Sequence, residues 1–362
     1  MKDVFFKLIR NGLWVDNLNI EKNIIPDLKD NDWEKLFSIS TKHTVEGIIF
    51  TALEQLDPNS LPSEKILINW TVRISQIENR NKKIIQFLAS YSNWLKSLNF
   101  YPILLKGQGL AKLYPFPLLR GTGDIDLHLE KSSFSRLINL LKSQNITFDS
   151  EGRYDYSYKV NSIIIELHKN KFDLSNPINR RLLDKLFLSQ ERGIVQTMIN
   201  SEGIQILAPI WQIVQVNVHI LKHQLGFGIG VRQLCDAARL YYNLKGQYDS
   251  QELYFIYKKI GILKWVHVLH HMLVKDFGLS KEYLPFEIPQ NTDSSWMLEE
   301  VWHSGSFGYF DERYFTGSKN FMSLQPASIK RILKSFSYYF RLIPLEALCY
   351  ILNRFFLKLF KK

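Results

Sequence analysis

Residues 104–129 read LLKGQGLAKLYPFPLLRGTGDIDLHL and carry two aspartates, Asp124 and Asp126, within a short apolar segment. Side chains on a β-strand alternate between its two faces, so both carboxylates project to the same side of this predicted strand. Like charges held a few ångströms apart repel each other, and a bound cation relieves the repulsion. The pattern therefore predicts a site for a hard divalent cation such as Mg²⁺, which binds carboxylates together with substrate phosphates.

Two glycine-rich segments flank the aspartates, residues 106–109 (KGQG) and residues 121–123 (GTG). Glycine lets a phosphate approach backbone N–H groups closely, so these segments predict a place for a triphosphate. The alternative for the aspartates is a strand edge whose carboxylates simply face water. Aspartate is depleted in strands, however, and a same-face pair flanked by Ile125 and Leu127 favours metal binding.

This arrangement resembles the polymerase-beta-like nucleotidyltransferase superfamily, whose signature is a strand, a glycine-containing turn, a helix and a strand with Asp-x-Asp. Within that superfamily it is similar to the bacterial group described as an uncharacterised nucleotidyltransferase family. The resemblance covers roughly residues 30–245 in motif order. The matching elements, in chain order, are Leu105-Lys106-Gly107, Leu110-Ala111, Tyr114-Pro115, Pro117, Arg120, Gly123 to Leu127, Glu166-Leu167-His168, His219, His223, Arg232 and Asp236.

The resemblance implies an enzyme that moves a nucleoside monophosphate from a nucleoside triphosphate (NTP), such as ATP, to a hydroxyl acceptor. The residues that it implies as catalytic groups and as ligands of two Mg²⁺ ions are Asp124, Asp126 and Glu166. Those implied in binding the NTP are Lys106, Gly107, Gln108, Arg120 and Gly123. Those implied in binding the acceptor substrate are His168, His219, His223, Arg232 and Asp236. The acceptor itself, a small molecule, a sugar or a protein side chain, stays open.

The turn after the first strand departs from the superfamily pattern. Most members have Gly-Ser or Gly-Gly there, and the serine contacts the triphosphate, whereas this chain has Gly107-Gln108. The phosphate contact is therefore expected from Lys106, from Arg120 or from a backbone N–H. The nucleotide preference cannot be carried over from the superfamily.

Glu166 ends an apolar strand, Ile163 to His168, where an unpaired carboxylate costs free energy. A functional role would be third metal ligand, or base towards the acceptor hydroxyl. The alternative is a salt bridge to a nearby lysine or arginine. Because the strand is predicted to lie in a hairpin beside the Asp-x-Asp strand, the functional role is favoured.

His219 and His223 lie four residues apart on a predicted helix from about residue 209 to residue 224, and so share one face. Three interpretations are open: contact with substrate, a zinc pair, or a buried polar network that joins two helices. A zinc site of the His-Glu-x-x-His type is disfavoured, because Ile220 follows His219.

Composition places the chain among globular proteins, with 362 residues and 46% hydrophobic residues. Two or three packed units are expected at this length. Two distant cysteines, Cys235 and Cys349, fit reduced thiols and a cytoplasmic location better than a disulfide framework. We identify neither a secretion signal nor a run of about 18 apolar residues that would span a membrane.

The hydrophobic periodicity predicts an α+β fold, a small mixed sheet flanked by helical regions. The predicted units are a helical region (1–97), an α/β core (98–172), a second helical region (173–325) and a basic amphipathic tail (326–362). In the core, the alternation of Tyr154, Tyr156 and Tyr158 and the turn at Asn161-Ser162 predict a hairpin. No further strand is predicted after Asn176.

The tail carries eight lysine and arginine residues against Glu346, a net charge of +7 out of the formal +11 of the chain. Its helical pattern places one apolar row opposite the charges, formed by Leu345, Leu348, Leu352, Phe355, Phe356 and Leu359. This row is predicted to pack on the protein body. The alternative is peripheral contact of residues 327–360 with the inner membrane surface.

The favoured function is therefore catalytic nucleotidyl transfer. A non-catalytic module with the same fold, binding nucleotide or a partner, is the alternative. Nucleic acid is a weaker candidate partner, because outside the tail the positive charge is too low for a duplex-binding face. The oligomeric state stays open.

Overall fold

The computed structural model describes residues 1–17, 25–152, 155–190, 193–313 and 321–359; of residues 321–330, 332 and 354–359 it describes the backbone alone. A seven-stranded sheet lies between helices that precede it and helices that follow it in the chain. The predicted α+β class, a mixed sheet with helical regions on both sides, is confirmed. The division of the chain into four units stays a prediction.

Four helices precede the sheet: α1 (Lys2–Leu13), α2 (Asp30–His43), α3 (Glu46–Leu53) and α4 (Glu64–Ser97). Apolar residues at helical spacing bury one face of α1, α2 and α4, as with Leu8 and Ile9 in α1, whereas α3 is buried on nearly all sides. The 34-residue α4 runs past the segment that enters the Asp-x-Asp strand. There the amide of Asn81 donates to the carbonyl oxygens of Leu118 and Arg120, at 2.6 and 2.9 Å, which fixes the approach of the chain to that strand.

The seven strands are β1 (Ile103–Leu104), β2 (Asp124–His128), β3 (Phe148–Glu151), β4 (Asp155–Val160), β5 (Ile163–His168), β6 (Ile194–Ile199) and β7 (Glu202–Leu207). Their order across the sheet is β3-β4-β5-β2-β1-β7-β6. The pairs β2–β5 and β1–β7 are parallel and the other pairs are antiparallel. The Asp-x-Asp strand β2 therefore lies at the centre of the sheet.

The predicted hairpin is present as β4–β5, and Asn161-Ser162 forms its turn with φ values of 49° and 65°. Tyr154 lies outside the described residues. The prediction of no strand after Asn176 is wrong, because β6 and β7 form a second hairpin. Its turn, Asn200-Ser201, repeats the same dipeptide with nearly the same φ values, 49° and 64°. Asparagine tolerates this left-handed conformation, which suits a two-residue hairpin turn.

Two helices accompany the central strands: α5 (Gln108–Ala111) and α6 (Lys131–Ser143). The apolar face of α6, which includes Phe134 and Leu137, is buried. From the sequence, Ser132 or Ser133 is the expected N-cap of this helix. That expectation is wrong, because the carbonyl of Glu130 accepts from the N–H of Phe134 at 2.8 Å, and Glu130 is the N-cap.

Eight helices follow: α7 (Pro177–Leu188), α8 (Pro209–Leu225), α9 (Val231–Leu244), α10 (Ser250–Lys259), α11 (Leu263–Lys275), α12 (Ser295–Ser304), α13 (Phe321–Leu342) and α14 (Pro344–Leu359). The side chains of Ile125 and Leu127 on one face of β2 join a core with α4 and α6. Strand alternation turns Asp124 and Asp126 to the opposite face, towards α8.

The C-terminal helix α14 packs on the body, but through a different face from the predicted one. Ile343, Ala347 and Tyr350 are buried. Leu348 and Leu352 are each 44% exposed, so the prediction that they are buried is wrong. The side chains of Phe355, Phe356 and Leu359 lie outside the described residues.

Glu346 explains which face of α14 packs. Its carboxylate accepts from the backbone N–H groups of Ser175 and Asn176, which precede α7. Glu346 is 3% exposed and lies on the same side of α14 as Ala347 and Tyr350. The sequence pattern assigned this charge to the solvent, whereas a charge-assisted hydrogen bond to the chain before α7 draws it inward.

Among the described residues, none of the helices is both long and apolar enough to cross a membrane. Cys235 is buried, Cys349 is half-buried, and both thiols are free.

Candidate active site

The sheet brings the predicted carboxylates together on one face. In the parallel pair β2–β5, Asp126 is in register with Glu166, and Asp124 lies two residues earlier on the same face. Asp126 is 3% exposed, whereas Asp124 and Glu166 are half-buried. Two neighbouring strands thus hold three carboxylates, because parallel strands in register project equivalent side chains side by side.

Asp126 is held by two partners through a single oxygen. Its Oδ1 lies 2.9 Å from Nζ of Lys106 and accepts from Nε2 of His168 at 2.7 Å. Lys106 follows β1, and His168 is the last residue of β5. With Oδ1 engaged twice, Oδ2 is the oxygen of Asp126 that is available to a cation.

One group in the described part of the chain has the donor atoms for a metal ion: Asp126, Glu166 and His168 each offer an atom within 4.8 Å of the others. Nε2 of His168 also lies 3.6 Å from Oε2 of Glu166. The oxygen-rich set of Asp124, Asp126 and Glu166 fits a hard cation such as Mg²⁺. His168 suits the role of orienting Asp126, since its Nε2–H already donates to that carboxylate.

The environment of the site shifts the pKa values of the three carboxyl groups in different directions. Burial raises the pKa of Asp124, and the charge of Asp126 adds to the effect. Burial together with Asp126 and Asp124 raises the pKa of Glu166 to about 7. Burial acts in the same direction on Asp126, but Lys106 and the hydrogen bond from His168 outweigh it and hold its pKa below the usual range. At Asp124 and Glu166 the environment therefore opposes ionisation until a cation is present.

Replacing Glu166 by glutamine is expected to stabilise the metal-free protein near pH 8. The native pKa of about 7 exceeds the ordinary value of 4.5, so the folded state favours the protonated carboxyl. Glu166 therefore costs stability as the pH rises from about 4.5 through 7, and glutamine removes that cost. Measured in EDTA, the melting temperatures of the parent and of Glu166→Gln should differ at pH 8 and converge near pH 4. An equal difference at both pH values would contradict this account.

The glycine segments border the cavity beside the carboxylates. Lys106 and Gly107 line it on one side, and Thr122 and Gly123 line it on the other. At Gly123 the backbone has a negative φ, and an added Cβ would meet no atom within 4 Å. Neither backbone conformation nor packing within the protein thus requires glycine at this position. A ligand that approaches the backbone would account for it.

We expect Gly123→Ala to leave the melting temperature of the free protein unchanged within about 1 °C. The variant should weaken the Mg²⁺-dependent stabilisation by NTP, because the new methyl group would occupy the space beside the backbone. Thermal-shift titrations of both proteins measure the two effects. A variant that binds NTP as well as the parent would show that no ligand approaches there.

Two residues predicted to bind the NTP take part in other contacts. The amide of Gln108 is buried and donates to Oδ1 of Asn81 at 3.2 Å. Arg120 lines the cavity, but its Nε and Nη2 donate to both oxygens of Asp236, at 2.7 and 2.8 Å. The hydroxyl of Tyr114 donates to Oδ1 of Asp236 at 2.7 Å. The predicted Arg120 and Asp236 thus form one buried pair.

Helix α8 forms the opposite wall with His219 and His223, whose rings lie 4.4 Å apart. Nδ1 of His219 is 3.5 Å from Oδ2 of Asp173, which also pairs with Lys222 at 3.1 Å. Burial and the nearby charge of Lys106 lower the pKa of His219 to about 4. The histidines are therefore neutral, and within the described residues they belong to no metal-ligating group. Asp173 and Lys222 were not predicted from the sequence.

Helix α9 closes the same wall with Arg232 and Gln233. Nε of Arg232 donates to Oγ1 of Thr44 at 3.0 Å. Gln233 is 5% exposed, and its Oε1 accepts from the N–H of Gly230 at 3.1 Å. That bond fixes the amide orientation, and Nε2 then has no hydrogen-bond partner in the described structure. Because Gln233 lines the cavity, this buried donor is available to a ligand.

An aromatic edge, which the sequence analysis missed, consists of Phe227, Phe307 and Tyr309. The ring of Phe307 lies 5.0 Å from that of His223. A Cβ at Gly308 would come within 2.0 Å of the carbonyl oxygen of Phe227, so glycine permits the two loops to approach. Phe307 itself has a φ of 51°, uncommon for a residue with a side chain.

Arg331 of α13 joins these two loops. Its guanidinium donates to the carbonyl of Phe227 and, at 2.6 Å, to Oγ of Ser304. Its Nε lies 3.3 Å from Oε2 of Glu300, and the residue is 4% exposed. Arg331, which belongs to the predicted basic amphipathic tail, therefore supports the wall of the cavity.

Together these elements enclose a cavity of about 400 Å³. The carboxylates and Lys106 lie on the side of the sheet, the histidines of α8 form the opposite wall, and the aromatic edge completes the lining. The fold and the site define an α+β protein with a buried cluster of acidic residues suited to a divalent cation.

The chain belongs to a family described as uncharacterised nucleotidyltransferases, whose profile matches residues 29–278, more than two thirds of the chain. A solved nucleotidyltransferase-like protein from Paracoccidioides brasiliensis, described as antigenic, is similar to part of it, with a TM-score of 0.34 and 16% identity. That similarity covers 56% of this chain and 94% of the other. A search among curated proteins found no match. Family membership supports transferase chemistry at the level of nucleotidyl transfer.

Proposed function

We propose that the protein is a Mg²⁺-dependent nucleotidyltransferase of the polymerase-beta-like kind. It would transfer a nucleoside monophosphate from an NTP, with ATP among the donors, to the hydroxyl group of an acceptor and release pyrophosphate. One observation carries the proposal: Asp126 and Glu166 are in register on parallel neighbouring strands, with Asp124 on the same face and Lys106 beside them.

In this proposal Asp124, Asp126 and Glu166 hold two Mg²⁺ ions. The ions, when bound, would neutralise the triphosphate and stabilise the attacking and leaving oxygens. Lys106 lies where it would exchange its contact with Asp126 for a triphosphate oxygen, since a lysine acts on phosphate as a point charge. Gly107 and Gly123 would let the phosphates approach the backbone.

The reaction forms a bond between the acceptor oxygen and the α-phosphorus while the bond from that phosphorus to pyrophosphate breaks. The hydroxyl proton needs a base. Glu166 is the best placed, because it lies beside the aspartates; in this role it would act instead of serving as third ligand, and the two aspartates would hold the ions. His168 would orient Asp126 throughout.

The acceptor would contact the walls that the carboxylates leave free: the imidazoles of α8, Gln233 and the aromatic edge. A cavity of about 400 Å³ is of the size that small ligands occupy. A small molecule or a sugar would enter it whole, and a protein acceptor would insert one side chain. A cytoplasmic location is part of the proposal, supported by the two free thiols.

The alternative is a non-catalytic module that binds nucleotide without turnover. Gln108 favours it, because the turn has no serine to contact the triphosphate and the glutamine side chain is bonded elsewhere. The presence of all three carboxylates in one cavity favours catalysis.

A thermal-shift screen of the four NTPs, with and without Mg²⁺, tests the binding part of the proposal. Stabilisation that requires both NTP and Mg²⁺ is expected, and its absence for every NTP would overturn the proposal. A pyrophosphate-release assay with sugars, small polyols and hydroxyl-bearing peptides then separates the two functions. Mg²⁺-dependent binding with no release for any acceptor class would favour the non-catalytic module.

A further inference from the structure

The outward face of α14 carries a row of exposed apolar side chains. Leu345 is 61% exposed, and Leu348 and Leu352 are each 44% exposed. Their spacing of three and four residues places them on one stripe of the helix, opposite the buried Ala347 and Tyr350. We call these three residues the leucine row. The helix is thus fixed to the body by Glu346, Ala347 and Tyr350 and presents the leucine row outwards.

A second cavity, of about 480 Å³, lies beside the start of α14. Its wall includes Lys264, His267 and Arg341, and the parallel rings of Trp296 and Tyr338, 4.8 Å apart. Within the described residues neither Lys264 nor Arg341 forms an ion pair, and Nδ1 of His267 is buried without a hydrogen-bond partner. Lys264 and Arg341 can neutralise an anion, His267 can donate one hydrogen bond to it, and arginine can bind a phosphate through two N–H groups.

One carboxylate lines this cavity, that of Asp293. Its Oδ1 accepts from the backbone N–H and the hydroxyl of Ser295, at 3.0 and 2.7 Å, so its charge is partly satisfied within its own loop. The two cations and His267 therefore leave the cavity with an excess of donors for an anionic group.

The second cavity and the leucine row are close together. Arg341 lines the cavity and Leu345 follows it by four residues, a length of chain that spans at most about 14 Å. An amphiphile with a phosphate head and an apolar body matches both features at once.

We propose that the leucine row and the second cavity form a docking surface for an anionic lipid membrane. The leucines would enter the interfacial region, and the cavity would receive the phosphate of a lipid headgroup. Helix α14 would lie in the plane of the surface, as basic amphipathic helices do. Apart from the buried Arg331, residues 326–362 contain seven lysine and arginine residues, and their positive charge complements anionic headgroups.

Charge favours a membrane over a protein partner or a second copy of the chain. The central part of a protein interface is depleted in lysine and enriched in aromatic residues. The leucine row instead continues in the sequence into Arg354, Lys358 and the terminal lysines. A second copy would present the same positive charge and repel this surface.

The test is co-sedimentation of the full chain with vesicles of phosphatidylcholine alone and of phosphatidylcholine with about 30% phosphatidylglycerol. We expect binding to the anionic vesicles only, and its loss in 0.5 M NaCl. Leu348→Glu should lower the vesicle-bound fraction at least tenfold. Lys264→Gln combined with Arg341→Gln should weaken the partition by roughly fivefold for each charge removed.

Leu188→Glu on α7 is the matched control, because Leu188 is 73% exposed on a different helix. It should bind vesicles as the parent does, and all variants should keep the parent melting temperature. Equal effects of Leu188→Glu and Leu348→Glu, or no vesicle binding at all, would overturn the proposal.

Two further outcomes would assign the surface to another occupant. Stabilisation by inorganic phosphate that the double variant abolishes, without vesicle binding, would make the cavity a site for free phosphate. A dimer detected by light scattering that Leu348→Glu dissociates would make the leucine row an interface between two copies. Either result would overturn the membrane proposal.

Discussion

Replacing Asp124 by asparagine is expected to abolish the Mg²⁺-dependent stabilisation by NTP while leaving the fold intact. Asp124 is half-buried, and burial and the charge of Asp126 raise its pKa, so the protein without metal gains nothing from this charge. Its loss should leave the melting temperature of the free protein unchanged or higher. Nucleotidyl transfer should fall by about 10³-fold or more, since metal-ion stabilisation supplies several kcal/mol of the barrier reduction.

Asp149→Asn is the matched control for this variant. Asp149 is half-exposed on β3 and pairs with Lys159 at 3.3 Å, outside the cavity. It should change neither the NTP-dependent shift nor the rate. If Asp124→Asn still binds Mg²⁺-NTP as the parent does, or if it unfolds, the assignment of Asp124 as a metal ligand fails.

Asp126 is a less suitable position than Asp124 for such a substitution, because Asp126 already has two partners in the metal-free protein. Lys106 and His168 both contact Oδ1 of Asp126. Removing this carboxylate would leave a buried lysine without its partner, so loss of binding and loss of stability would be mixed. The same contacts mean that the metal-free site is already partly neutralised by the protein.

The sequence was sufficient to predict that the three carboxylates share one face, because that arrangement depends on local rules. Strand alternation alone places Asp124 and Asp126 on one side, and the hairpin at Asn161-Ser162 returns the chain so that Glu166 lies beside them. In the sheet β5 lies between β4 and β2 and runs parallel to β2.

The second hairpin was missed because its hydrophobic pattern is weak. Val195 and Met198 of β6 are 36% and 58% exposed at an edge of the sheet, so no alternation marks a buried face. The turn Asn200-Ser201 was the available signal, since the same dipeptide had already marked the first hairpin. The residues of the turn therefore predict this hairpin better than the hydrophobic periodicity of its strands does.

Contacts between distant parts of the chain could not be predicted from periodicity. Arg331 supports the aromatic edge, 104 residues away from Phe227 in sequence. Glu346 accepts hydrogen bonds from residues before α7 and so decides which face of α14 packs. In both cases a charged residue is buried because its partner lies on another helix or loop. The hydrophobic pattern around the charged residue does not indicate where that partner lies.

Asp236→Ala is expected to destabilise the protein by about 3–5 kcal/mol, the cost of leaving a buried arginine without its partner. Arg120 is 3% exposed and Asp236 is 4% exposed, and both carboxylate oxygens accept from the guanidinium. The variant also removes the acceptor of the Tyr114 hydroxyl. Chemical denaturation at pH 7 measures the loss.

The pKa of Asp236 also predicts how the stability difference between the parent and Asp236→Ala changes at acid pH. Burial opposes ionisation of Asp236, but Arg120 outweighs it and lowers the pKa of the carboxyl below its ordinary value of 3.8. The stability that the pair contributes is therefore present above about pH 4 and is lost as the pH falls through the native pKa. The difference between parent and Asp236→Ala should narrow below about pH 4.

Asp3→Ala is the control for the loss of a surface charge, since Asp3 is 76% exposed and pairs only with Lys7, at 3.4 Å. It should cost less than about 0.5 kcal/mol. Arg120→Met combined with Asp236→Leu should recover much of the stability lost in Asp236→Ala, because the buried guanidinium of Arg120 is removed together with its partner. Asp236→Ala could instead keep its stability and lose only substrate binding. The Arg120–Asp236 pair would then bind a ligand, as predicted from the sequence, and would not serve to connect α9 to the segment that enters β2.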